Sequence, residues 1–129
     1  METIRKETIE EVHFWNRVWR NQIAFYFQEL KIFQERLEHI AASNPSKEIH
    51  IPIEQFQNRF IIQRNELDKI EHLVNITEDQ AVQSGKMHVR RIDYLSSEQF
   101  SEIKNSMQQY EKLFKEMRED FYNFISRWV

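Results

Sequence analysis

"FSEIKNSMQQYEKLFKEMREDFYNFISRW", residues 100–128, holds no glycine or proline and spaces its large apolar residues at alternating steps of three and four. The stripe reads Phe100, Ile103, Met107, Tyr110, Phe114, Met117, Phe121, Phe124 and Trp128. A mean step of 3.5 is the period of a helix that buries one face against other helices at a shallow angle. A strand would alternate with period two. Side chains this large cannot be kept dry by one helix, so the stretch predicts partner helices elsewhere in the chain.

Two such partners precede it. The first segment carries Ile9, Val12, Trp19, Ile23, Tyr26, Leu30, Phe33, Leu37 and Ile40 in the same register, interrupted only by Asn16. The second carries Ile53, Phe56, Phe60, Gln63, Leu67, Ile70, Val74, Thr77 and Ala81. Punctuation agrees with these limits. Pro45 and Pro52 are the only prolines and Gly85 the only glycine. Pro52 suits a first helical turn, and Gly85 stands where a helix end favours a left-handed residue. Ser96 and Gln99 have the spacing of a capping box, and Leu95 and Phe100 that of a hydrophobic staple. The expected architecture is all-α: an up-down-up antiparallel bundle of three long helices, about 3–42, 52–84 and 97–128, forming a single domain over residues 1–129.

The antiparallel order follows from the connections. They are short beside helices of roughly 50 Å at about 1.5 Å per residue, so sequence neighbours must reverse direction. Folding Ile40 onto Ile53 and Ala81 onto Phe100 then sorts the seams into layers of three. Phe33, Phe60 and Phe121 share one layer; Tyr26, Leu67 and Phe114 share another; Ile40, Ile53 and Trp128 close one end. Asn16 and Thr77 fall together beside Ile103, where a hydrogen bond between them would offset the cost of burial. Gln63 has no polar partner in its layer and is expected to reach for solvent.

Composition narrows the function classes. The chain has 129 residues, of which 40% are hydrophobic and 30% charged, with a net charge of −3. That is too apolar for intrinsic disorder, and no run approaches the roughly 18 apolar residues of a membrane span. The opening "METIRKETIEEV" has acids where a secretory signal would be apolar, so a cytoplasmic location is expected. The absence of cysteine excludes disulfides, thiolate metal sites and a cysteine nucleophile. Lys86, Arg90 and Arg91 make one short basic cluster, where nucleic-acid binding usually needs a longer stripe. Near-absence of glycine argues against a phosphate-cradling loop, and no serine stands in a nucleophile-elbow motif. Neither an enzyme nor a cofactor is expected.

Histidine–carboxylate spacings are open to a chemical reading. Glu10 and His13 form one Glu-x-x-His unit of the kind that di-iron bundles use twice. A metal site completed across a dimer is therefore the alternative function. Glu35 with His39 and Asp68 with His72 are spaced as helix-surface pairs.

A second apolar row lies outside the seam. Trp15, Val18, Phe25 and Ile32 on the first helix and Ile62, Leu73 and Ile76 on the second share outer or flanking heptad positions. They are expected to form a partner-binding groove along those two helices, since contiguous exposed apolar rows mark contact sites. The expected occupant is a helix of a second copy, giving a homodimer, or a partner helix. The segment "KMHVRRIDYL", 86–95, could instead fold back over it with Met87, Val89, Ile92 and Leu95. The overall expectation is a non-enzymatic, self-associating helical interaction module.

Overall fold

The computed structural model describes residues 7–90 and 94–128, and of Tyr94 and Leu95 only the backbone. Three long helices follow one another: α1 (Ile9–Ser43), α2 (His50–Lys86) and α3 (Tyr94–Trp128). A single 3-10 turn, Lys47–Ile49, leads into α2. No strand occurs among the described residues, and the helices pack on one another as the three-helix bundle that the period predicts.

The seams are buried as expected. Val12, Ile23, Leu30 and Leu37 of α1, Leu67 and Val74 of α2, and Ile103, Phe114, Met117 and Phe121 of α3 are fully buried. The rings of Phe33, Phe60 and Phe121 meet mutually at 5.1–6.0 Å, which realises the predicted layer. Tyr26 lies 4.8 Å from Phe114 one layer on. Ile40 and Ile53 are buried at the end where α1 stops, and Trp128 is a partly buried residue packed against the core.

Side-chain size sets the spacing of the helices. The α1 and α2 backbones run close together, whereas α1 and α3 approach each other sparsely. Rings bridge that wider gap: Trp19 to Phe100, Tyr26 to Tyr110, and Phe33 to Phe121, all at 5.1 Å.

The ends depart from the sequence reading for local reasons. The first helix begins at Ile9 instead of about residue 3, because Thr8 is its N-cap. The Thr8 hydroxyl oxygen accepts from the Glu11 N–H at 3.1 Å and its hydroxyl donates to the Glu11 carboxylate at 3.2 Å. Thr8 and Glu11 have capping-box spacing, so this start is legible in the sequence. Residues 3–6 of the expected helix lie outside the described ones. At the end of α2 the helix runs through Gly85, which has no positive φ; the left-handed residue is His88, with φ 58°. The His88 N–H donates to the Gly85 carbonyl and the Val89 N–H to the Ser84 carbonyl, the paired bonds of a Schellman ending.

The third helix starts three residues early, at Tyr94. Ser96 is therefore a helical, buried residue and not a cap; its hydroxyl donates to Gln80 Oε1 at 2.8 Å. The Leu95 staple falls outside the described side chains. Residues 87–90 run past the start of α1, where the Ile9 N–H donates to the Arg90 carbonyl at 3.1 Å.

Candidate interaction surface and the buried polar cluster

Polar contacts fix which flank of each helix faces which neighbour. Between α1 and α2, His13 is bonded to Glu78, Asn16 Nδ2 donates to Glu78 Oε2 at 2.8 Å, and Arg20 donates to Asn75 at 2.9 Å. Between α1 and α3, Arg118 pairs with Glu29. Between α2 and α3, Arg59 pairs with Asp120 at 3.0 Å. His13 and Arg20 thus mark one flank of α1 and Glu29 the other. Trp15 lies on the Glu29 side and forms a wall of a cleft of about 220 Å³ between α1 and α3, with Trp19, Phe100 and Met107.

This geometry splits the predicted groove in two. In an antiparallel helix pair the flanks that carry Trp15 and Leu73 lie on one side, and α3 occupies that side. Val18, Phe25 and Ile32 consequently border the α1/α3 seam, while Ile62 and Ile76 border the α2/α3 seam. The period could not show this, because a third helix can settle on either side of the first two. Leu73 is half-buried against the core, and Val18 and Ile76 are half-buried. Trp15 (42%), Phe25 (57%), Ile32 (51%) and Ile62 (58%) keep much of their surface exposed. The segment after α2 does not cover either row with its described side chains, since Met87 (67%) and Val89 are themselves exposed. Ile92 and Leu95 are outside the described side chains.

The sequence missed the central acid. Glu78 is buried, accepting from Asn16 and from His13. Asn16 therefore bonds to Glu78 and not to Thr77, whose hydroxyl donates to the Leu73 carbonyl of its own helix at 2.8 Å. One position after a seam residue, Glu78 flanks the core on the α1 side, and that placement was readable once the pairing of flanks was known. Gln63 does not reach solvent as expected: its side-chain oxygen is buried without a partner, and its backbone carbonyl accepts from the Tyr110 hydroxyl at 3.2 Å.

The other chemical candidates stay apart. Glu10 is exposed, and the carboxylate that meets His13 is that of Glu78. Among the described residues no group of three His, Asp or Glu is gathered closely enough to hold a metal ion. Glu35, His39, Asp68 and His72 are all exposed, as are Lys86 and Arg90; Arg91 lies outside the described residues. No described helix is long and apolar enough to cross a membrane. Burial, and next the charge of Glu111, raises the Tyr26 phenol above its ordinary pKa. Burial, and next Tyr26, raises that of Tyr110 further. Both hydroxyls are therefore neutral core groups.

The chain matches no protein-family model, and no curated protein or solved structure is similar to it.

Proposed function

We propose that this chain is a non-enzymatic helical interaction module, working in the cytoplasm, that self-associates through the outer apolar row of α1. One observation carries the reading. Trp15, Phe25 and Ile32 remain substantially exposed along one helix, although the seam residues of the bundle are already buried. Scattered surface apolar residues are ordinary, but a row of large ones on a single helix favours contact. Covering each would contribute roughly 1.5–3 kcal/mol before the cost of association.

The test is the solution mass. Sedimentation equilibrium of the wild-type chain is expected to give twice 16.0 kDa. Substituting Phe25→Glu and Ile32→Glu together is expected to return it to a single chain while far-ultraviolet circular dichroism stays unchanged, because both side chains lie outside the core. An unchanged mass for the double variant would end the reading.

A further inference from the structure

We propose that the second copy docks α1 against α1, antiparallel, with the two-fold axis passing through Phe25. The proposal rests on the self-association reading and supplies its geometry. A closed two-fold contact is isologous: the same patch is used twice, so its pattern must match its own reverse. The outer stripe of α1 reads Glu11, Val18, Phe25, Ile32 and His39 at intervals of seven. Reversed about Phe25, Val18 meets the partner's Ile32 and Phe25 meets the partner's Phe25, while Glu11 comes opposite the partner's His39. The apolar part spans about 21 Å at the helical rise.

The flanks agree with that reversal. One helical turn on either side of Phe25 stand Asn21, Gln22, Gln28 and Glu29, and Glu29 is already paired with Arg118. The centre is thus an aromatic surrounded by amides and free of uncompensated charge, which is how interface cores differ from the rest of a protein surface. On one flank Asn21 meets the partner's Gln28, two amides that can bond to each other. On the other, Trp15 meets the partner's Arg36, placing a guanidinium beside an exposed indole. No like charges are opposed.

The other two helices fail the same requirement. On α2 the corresponding stripe is Gln55, Ile62, Lys69, Ile76 and Gln83, as symmetric as that of α1. Its axis would pass through Lys69 and press two ammonium groups together, a like-charge contact that interfaces avoid. On α3 the stripe from Glu102 through Gln109 and Glu116 to Asn123 is polar throughout. Of these three stripes, only that of α1 has an apolar residue at its centre of symmetry.

Cysteine cross-linking tests the geometry directly, because the native chain has no cysteine. Helices 8–10 Å apart bring facing Cα atoms on the axis into the roughly 4.4–6.8 Å range of a disulfide. Under mild oxidation the Phe25→Cys chain is expected to run on a non-reducing gel at twice the 16.0 kDa of one chain. Val18→Cys alone and Ile32→Cys alone are expected to stay single, and an equimolar mixture of the two, which keeps Phe25, to cross-link. Lys69→Cys is the control for random collision and is expected to stay single. Cross-linking of Val18→Cys or Ile32→Cys with itself would mean a parallel contact and overturn the proposal. So would failure of both the Phe25→Cys chain and the mixture while wild type sediments as a dimer, with self-association left standing. A monomeric wild type at every concentration would remove both.

Discussion

The two ends of the bundle are built differently. Where α1 ends and α2 begins, the interior is aromatic: Phe33, Phe56, Phe60, Phe121 and Phe124 touch ring to ring at 5.1–6.3 Å. At the opposite end Asn16, Thr77, Glu78, Ser96 and Ser97 are buried, with a single buried ring pair, Trp19 and Phe100, beside them. Ring packing is strong and tolerant of direction, since each ring gains from burial and from edge or offset contacts with any neighbour. Hydrogen bonds demand one alignment. The comparison teaches a division of labour: the aromatic end supplies cohesion, and the polar end selects which residues of α1, α2 and α3 stand level with one another.

The largest expected effect is at the aromatic end. Phe121 is fully buried and touches Phe33, Phe56, Phe60 and Phe124, so Phe121→Ala is expected to cost about 3–5 kcal/mol in urea unfolding. A cost below 1 kcal/mol would mean that the cohesion lies elsewhere. At the polar end Glu78→Ala leaves the Asn16 amide without its acceptor, with an expected loss of about 1–3 kcal/mol. Replacing both partners, Asn16→Leu with Glu78→Met, is expected to restore most of that loss, because two apolar side chains leave no polar group unmet. If the pair selects alignment, the double variant should broaden or multiply its amide NMR peaks despite its regained stability; one sharp set of peaks would remove the selective role.

A smaller effect concerns the turn after the polar end of α2. His88 adopts a left-handed conformation that costs a residue with a side chain roughly 1–2 kcal/mol, so His88→Gly is expected to raise stability by about 1 kcal/mol. Gly85 sits inside the helix, and a methyl group there would meet nothing within 4 Å. Gly85→Ala is therefore expected to add roughly 0.5–1 kcal/mol. A loss from either change, read by thermal melting, would contradict the ending described here.

The smallest effect at neutral pH lies midway between the ends. The phenols of Tyr26 and Tyr110 are raised by burial, so the folded state holds their protons more tightly than the unfolded chain does. Their contribution is fully present below the ordinary tyrosine value of about 10 and is lost as pH rises above it. Stability should be unaffected by these groups up to about pH 9 and fall beyond about pH 10. Replacing both by phenylalanine should flatten the decline, and an equal decline in that variant would assign it to other groups.

Much of this was legible in particular residues. Phe33, Phe60 and Phe121 could be stacked before any coordinate was known, because the heptad period states which side chains turn inward and short connections state which ends meet. The start at Thr8 was equally readable from its spacing to Glu11. The end of α2 was not: Gly85 has the freedom for a left-handed turn, yet the helix runs on to Lys86, His88 takes the left-handed conformation, and Arg90 bonds to the start of α1. Of the outer row, Trp15, Phe25, Ile32 and Ile62 are exposed, whereas Val18, Leu73 and Ile76 are half-buried, which the period alone does not distinguish.

Helix number, inward faces and reversal of direction were settled by the sequence itself, because each depends on period and chain length, which are local quantities. The side on which α3 lies was a tertiary decision. A connection of this length can carry α3 to either flank of the α1–α2 pair, and which flank wins depends on the sum of contacts there. Trp15 and the Glu29–Arg118 and Arg59–Asp120 pairs stand on the side that α3 takes, and His13, Asn16 and Glu78 bond to one another between α1 and α2.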